Sequence, residues 1–335
     1  MTDDANASAP VERPIRWGVL ATGGIAHSVT TDLCAMPDAE VLAVGSRTQA
    51  RADAFAAGYG IARPYGSYAE LIADEELDVI YVASPHGQHH RDVKPALEAG
   101  RAVLCEKALT AKLDDAEDLV ATARAGGVFF MEAMKTRFNP LVVRVRELIA
   151  EGAIGEICAV SASFGNPVPY DPAHRLWAPE LGGGALLDLG VYVVSFAQML
   201  LGAPDQTYAA GALAPNGVDA EAGLLLRWES GAHALLDCSL RAEMPRTAII
   251  SGTAGQIELT DSFHNPTQMV LHRRGFDTET THRPLEGNGF REELREVHRC
   301  LRVGATESPT MPLDDTLAVM RVLVDGLGQL GARTG

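Results

Sequence analysis

The chain has 335 residues, 47% of them hydrophobic and 21% charged, which excludes a wholly disordered chain and suits two globular domains. Lys and Arg number 28 against 44 Asp and Glu, a net charge of −16. Such a balance repels nucleic acid and anionic membrane surfaces over long range, yet leaves room for a local basic pocket.

Residues 1–14 are rich in Asp, Asn, Ala and Pro around no apolar centre, a solvated disordered tail and not a signal peptide. Strand and helix signals then alternate. An apolar run at 15–20 ends in the turn Ala21-Thr22-Gly23-Gly24, and a helical stretch follows to about residue 36. Further strands are expected at 41–44, 79–83, 102–105 and 128–131, with helices at 49–57, 86–99 and 113–125. Short continuous apolar strands alternating with helices imply βαβ units and a parallel sheet covered on both faces. Beyond residue 141 the signals become short strands between turns, at 156–164, 207–213, 223–228, 232–239, 247–251, 256–259 and 269–272. Helices at 289–302 and 312–329 close the chain. The expected fold is α/β: an N-terminal Rossmann-type doubly wound parallel sheet over 15–137, and an α+β domain with a large, mostly antiparallel sheet over 138–335. The uncharged stretch 189–203 stops at Pro204 and carries Gln198, so it reads as a buried core helix, short of the ~18 apolar residues a membrane span needs. Cys34, Cys105, Cys158, Cys238 and Cys300 are widely spaced, without a Cys-x-x-Cys pair, and read as reduced thiols in a cytoplasmic protein.

Three places carry chemistry. The first is Ala21-Thr22-Gly23-Gly24-Ile25-Ala26, a pyrophosphate turn in which Ala21 replaces the first Gly of the G-x-G-x-x-G/A pattern. A Gly-rich turn without a ligand is the alternative. The second is the end of the second strand, Gly45-Ser46-Arg47, with Arg51 one helical turn on and no carboxylate. An acid there would bind the ribose 2′-hydroxyl of NAD, whereas Ser46 and Arg47 suit the 2′-phosphate of NADP. Arg47 on a solvated helix face is the alternative. The third lies at the ends of later strands. Ser84-Pro85-His86-Gly87-Gln88-His89-His90 follows the third strand, where its histidines cap a helix and line the cleft; no neighbouring Cys or carboxylate completes a metal site. Glu106-Lys107 ends the fourth strand, and Lys107 offers a cation that can lower a neighbouring pKa. In Gly182-Gly183-Gly184-Ala185-Leu186-Leu187-Asp188-Leu189-Gly190-Val191-Tyr192, Asp188 and Tyr192 share one helix face. Asp188 in this apolar segment either pairs with a cation such as Lys107 or Arg175 or lines a polar cleft, with a purely structural Asp–Arg pair as the alternative.

Together with Arg16-Trp17-Gly18, Tyr65-Gly66-Ser67-Tyr68, 102–107, 131–134, Thr136-Arg137-Phe138 and 183–190, these segments resemble the Gfo/Idh/MocA family of oxidoreductases. The likeness covers about 15–330 and is closest to the branch with dimeric dihydrodiol dehydrogenase and NADP-dependent D-xylose 1-dehydrogenase. The resemblance implies NADP, with NAD as the lesser choice, and a sugar or cyclic diol as the small-molecule substrate. It also implies a homo-oligomer, dimer or tetramer, built through the C-terminal sheet. It makes Lys107, Asp188 and Tyr192 the catalytic group, with Tyr192 as acid/base and its phenol lowered by Lys107. It adds Arg137 and Trp177 to a cofactor-binding set of Ala21, Thr22, Gly23, Gly24, Ile25, Ser46, Arg47, Arg51, Ser84, Pro85, His86, His89, Glu106 and Lys107. Ala108 stands where the family has Pro after the Lys, at a bond usually cis. A non-catalytic dinucleotide-binding regulator and a nucleotide-dependent glycosidase are the alternatives on this scaffold.

Overall fold

The apolar runs of the N-terminal half become six parallel strands: β1 (Ile15–Leu20), β2 (Ala39–Gly45), β3 (Arg63–Tyr65), β4 (Val79–Val82), β5 (Ala102–Glu106) and β6 (Phe130–Ala133). In the computed structural model, which describes residues 13–335, their order is β3-β2-β1-β4-β5-β6. The helices α1 (Gly24–Cys34), α2 (Gln49–Tyr59), α3 (Tyr68–Ile72), α4 (His89–Glu98) and α5 (Leu113–Gly126) connect them. Trp17, Val19, Ile80, Tyr81, Val103 and Leu104 have no exposed surface, as strands covered on both faces require. The order reverses between β1 and β4, and the crevice outside their C-terminal ends is where open α/β sheets take ligands.

Two short elements escape the periodicity of the sequence. β3 is a three-residue edge strand containing Pro64, tolerated because an edge leaves one side unpaired. α3 is a single turn capped by Ser67, which accepts the Glu70 N–H. The expected helix at 86–99 begins instead as a 3-10 turn, His86–Gln88, before α4. The chain leaves β6 through another such turn, Lys135–Phe138. Then α6 (Pro140–Ala150) starts with Pro at its first position and Asn139 accepting the Leu141 N–H at 2.9 Å.

The second sheet has eight strands: β7 (Ile157–Gly165), β8 (Gln206–Leu213), β9 (Asp219–Arg227), β10 (His233–Ser239), β11 (Ala248–Gly252), β12 (Gly255–Leu259), β13 (Gln268–Arg273) and β14 (Glu279–His282). The order is β14-β13-β12-β11-β7-β10-β9-β8. Every neighbour is antiparallel except β7 with β10. β14 reads Glu-Thr-Thr-His and is wholly exposed, so no apolar run announces it. Burial alternates along β9, with Ala220, Ala222, Leu224 and Leu226 buried, against α9 (Leu313–Leu330) and the turn at Leu186–Gly190 that leads into α7 (Val191–Leu201). The apolar window Pro179–Leu201, mean hydropathy 1.7, is 78% buried inside the protein.

The C-terminal segment, with α8 (Arg291–Arg302), returns to the first sheet. Trp17 Nε1 donates to His298 Nε2 at 3.0 Å, the Asp32 carboxylate accepts the Asn288 and Phe290 N–H groups, and Arg124 pairs with Glu307 at 2.9 Å. Of the expected tail at 1–14, residues 1–12 lie outside the described residues, while Arg13 pairs with Asp78 at 2.6 Å.

Candidate active site

The strand ends of β1, β2, β4 and β5 form the floor of a cleft of about 810 Å³, and the turn leading into α7 forms its wall. At one end sits the Gly-rich turn. Ala21, which occupies the position of the first Gly, has φ of +78°, a left-handed conformation that costs an L-residue about 1–2 kcal/mol. Gly23 and Gly24 have nothing within 4 Å of where a Cβ would stand. The first N–H groups of α1 have no side-chain cap, and no acid lies in its first turn. Uncapped N–H groups and the positive end of the helix dipole together suit an anion.

At the end of β2, Ser46 is buried, and Thr22 Oγ1 lies 3.4 Å from Ser46 Oγ. Exposed Arg47 and Arg51 line the same stretch, as do His27, Phe55 and Tyr68. Ser84 Oγ is buried on the cleft without a hydrogen-bond partner among the described residues. Orphan N–H donors, an orphan hydroxyl and two free-standing guanidinium groups form a donor set that fits a phosphorylated dinucleotide.

At the other end, Lys107 follows β5 and the Lys107–Ala108 bond is cis. Its Nζ donates to the Asp188 carbonyl at 2.8 Å, lies 3.6 Å from Asp188 Oδ1 and stands 4.7 Å from the centre of the Tyr192 ring. Asp188 Oδ1 also meets both terminal nitrogens of Arg175 at 3.3 Å and His86 Nε2 at 4.0 Å. Burial pushes the Asp188 carboxyl up, but Lys107 and Arg175 outweigh it and hold the group at about 2. Burial pulls Lys107 down, while Asp188, Tyr192 and Glu106 more than restore it, so the ammonium is charged. Burial lowers His86 to about 3 and keeps it neutral, with Nδ1 3.0 Å from the Gly182 carbonyl oxygen. Burial also raises Glu106, whose Oε1 accepts from Tyr81 at 2.6 Å.

The phenol departs from the sequence-based expectation. Burial pushes Tyr192 up to about 12, and Lys107 offsets only part of that rise because Glu106 and Asp188 add to it. In the protein alone, Tyr192 is therefore a neutral phenol, poised to give a proton. Phe164 stands beside it at 5.6 Å and stacks on His264 at 4.4 Å.

The cleft brings together Ala21, Thr22, Gly23, Gly24, Ile25, Ser46, Arg47, Arg51, Ser84, Pro85, His86, Glu106, Lys107, Asp188 and Tyr192. Three residues expected at the cofactor lie elsewhere. Arg137 is 1% exposed, and its guanidinium is spent on Ser195, Gln198 and Asp315, where it joins β6 to α7 and α9. Trp177 is buried, and its Nε1 donates to the Pro169 carbonyl at 3.0 Å. His89 has no exposed surface and braces the Ser84 carbonyl at 2.6 Å against those of Ala108 and Leu109. His90 points away to Asp118 at 2.6 Å, so the three histidines do not converge. Sequence reasoning missed Phe164, Phe55 and Leu181 on the cleft; an apolar side chain at a strand end or in a helix carries no mark of the surface it faces. His27 was visible only as a polar residue in the first turn of α1.

Residues 15–134 match the model of an oxidoreductase family with an NAD-binding Rossmann fold, and residues 142–258 match the GFO/IDH/MocA C-terminal domain. A mouse trans-1,2-dihydrobenzene-1,2-diol dehydrogenase is 36% identical over 326 residues, spanning 95% of this chain and 97% of its own. A 3-ketoreductase from Actinomadura kijaniata, solved with NADP and TDP-benzene, superposes with TM-score 0.81 at 29% identity over 93% of this chain and 96% of its own. An aldose-aldose oxidoreductase from Caulobacter crescentus shares the fold, with TM-score 0.86 at 24% identity over 95% and 98% of the two chains. The chain belongs to the Gfo/Idh/MocA oxidoreductases.

Proposed function

We propose that this protein is an NADP-dependent dehydrogenase acting on a CH–OH carbon of a sugar or cyclic diol, or on the corresponding carbonyl. The observation that carries this reading is the placement of an ammonium, Lys107, 4.7 Å from the ring of a phenol, Tyr192, in the cleft that begins at the Gly-rich turn. NADP is favoured over NAD because β2 ends in Gly45-Ser46-Arg47 without a carboxylate, and the Actinomadura relative was solved with NADP. Bound there, the dinucleotide supplies or accepts hydride at its nicotinamide ring.

The chain's own residues would handle the proton and the oxygen. In reduction, the Tyr192 O–H gives its proton to the carbonyl oxygen while the carbonyl carbon gains hydride. Lys107 stabilises negative charge as it develops on the substrate oxygen and the phenol oxygen. In oxidation the same atoms run in reverse. A phenol at about 12 serves the reductive direction more readily at neutral pH. Asp188 keeps Lys107 charged and in place, through its carboxylate and through its own carbonyl.

Two further features belong to the same proposal. Tyr208, Leu225, Leu235, Ser161 and Ile249 form a row across five strands on the face of the second sheet turned away from α7 and α9. Leu235 is 54% exposed and Tyr208 49%, and a second copy of this chain covering that face would form a homodimer. The five unpaired cysteines support a reducing, cytoplasmic setting.

The test is a panel of aldoses, cyclic diols and vicinal dicarbonyls, followed by absorbance of reduced nicotinamide, with NADP and NAD run in parallel. Turnover with NADP on at least one class is expected. Bound nucleotide with no net redox change on any class would sink the reading.

A further inference from the structure

The helical turn that carries the reacting residues has no cap of its own. Leu186–Gly190 is a π-helical turn that runs into α7, and Ala185, which stands at its cap, offers no side-chain acceptor. The three residues before it are Gly182, Gly183 and Gly184. First-turn N–H groups need acceptors from somewhere. Here one comes from the second sheet. Asp219, the first residue of β9 and 0% exposed, accepts the Leu186 N–H through Oδ2 at 2.6 Å.

The approach is possible only because residue 184 is glycine. Gly184 has φ of +127°, and a Cβ there would lie 1.9 Å from Asp219 Oδ1. Asp219 has no ion-pair partner among the described residues. Burial raises its carboxyl to about 7, and the N–H groups of Leu186, of Asp219 itself and of Ala185 offset part of that rise. A buried carboxylate without a cation is costly. The hydrogen bond from the Leu186 N–H is the compensation this site provides.

The turn held in this way presents both elements of the reacting end. The Asp188 carbonyl within it accepts Lys107 Nζ at 2.8 Å, and Tyr192 follows with its ring 4.7 Å from the same nitrogen. We propose that Asp219 is a positioning residue: it touches neither substrate nor Lys107, and it sets the distance between ammonium and phenol by fixing the backbone of the turn that bears Asp188 and Tyr192. This inference rests on the functional reading above for its kinetic arm alone.

The experiment compares Asp219→Ala, Asp219→Asn and Gly184→Ala in the full chain. The titration of Tyr192 is read by NMR of labelled tyrosine, its signal identified by Tyr192→Phe. Binding of NADPH is read by fluorescence, and kcat and KM are measured on whichever substrate the panel yields. In Asp219→Ala, the Tyr192 titration should move by ~1 pH unit as Lys107 shifts relative to the ring. Turnover should fall ~10–100-fold, with KM and NADPH affinity within about threefold, as expected for a displacement of order 1 Å. Asp219→Asn keeps an acceptor oxygen for the Leu186 N–H and should restore most of both. Gly184→Ala pushes the carboxylate away and should reproduce the alanine variant, which keeps the test alive if Asp219→Ala does not fold. A folded Asp219→Ala or Gly184→Ala protein with an unchanged Tyr192 titration would overturn the proposal. So would losses of turnover and NADPH affinity that simply track lost thermal stability. If the wild type turns over none of the panel, the functional reading fails by itself, and the Tyr192 titration still decides the role of Asp219.

Discussion

At the nucleotide end of the cleft the binding groups come from two short runs, the backbone of 21–25 and then Ser46, Arg47 and Arg51, and of these Gly23, Gly24 and both guanidinium groups lie open to water. At the reacting end they come from three separated parts of the chain: Asp188 is buried, Lys107 and Tyr192 are half-buried, and only Arg175 is exposed. Lys107 leaves β5, Asp188 and Tyr192 ride the turn into α7, and Arg175 comes from the loop before it. Solvated groups act nearly independently, so each can be altered at small cost to the others. Buried charges act as a set, because removing one leaves its partners uncompensated in a medium of low dielectric.

The largest effect should fall on the group that holds the proton. Tyr192→Phe keeps the ring beside Phe164 and removes only the hydroxyl. Turnover should drop ~10²–10⁴-fold, the usual worth of a positioned general acid, with NADPH binding by fluorescence within twofold of wild type. Turnover within threefold would show that the proton comes from elsewhere.

Lys107→Met should cost less in rate, ~10²–10³-fold, but should spread further through the site. Asp188 would lose the cation that does most to hold it at about 2, below its ordinary 3.8. A carboxyl whose folded value is depressed contributes stability that is complete above about pH 4 and lost as pH falls toward 2, here ~2 kcal/mol. Wild type should therefore melt above Lys107→Met at pH 6, and the gap should close as the buffer is taken from pH 5 to pH 2. A gap independent of pH would mean that Asp188 and Lys107 do not support each other.

The same contrast explains what could be read from residue order. The phosphate turn was legible because its parts are consecutive and glycine marks them. Lys107 and Tyr192 were found as separate charged and polar residues beside strand and helix ends, but nothing in the order of residues gives the 4.7 Å between them. Arg137 was expected at the cofactor from the resemblance alone, and only the packing of α7 and α9 shows that Ser195, Gln198 and Asp315 consume its donors. The phenol was expected low because a nearby cation is visible in the sequence while the depth of burial is not. Asp219 lies 33 residues beyond the turn it caps, with only the glycine triplet to hint that something must approach closely.

At the open end the effects should be smaller and confined to one partner. Arg47→Ala removes a cation that suits a 2′-phosphate. KM for NADP should rise ~10-fold, within the range of a single charge-assisted hydrogen bond, while KM for NAD should barely change and the melting temperature should stay put. Equal losses for both nucleotides would place Arg47 on the shared pyrophosphate and weaken the case for NADP.

Smallest of all should be Ala21→Gly, where two backbone terms oppose. Releasing an alanine from φ of +78° recovers about 1–2 kcal/mol. The added freedom of glycine in the unfolded chain takes back about 0.5–1 kcal/mol. The net change is a gain of about 0–1.5 kcal/mol by the difference of those two terms, read as a slight rise in melting temperature. Affinity for NADPH should hold within twofold, because the N–H groups at this end belong to the backbone and keep their places whichever side chain stands at 21. A tenfold loss of affinity would mean that the Ala21 methyl itself packs on the nucleotide. The open end would then share the interdependence of the buried one.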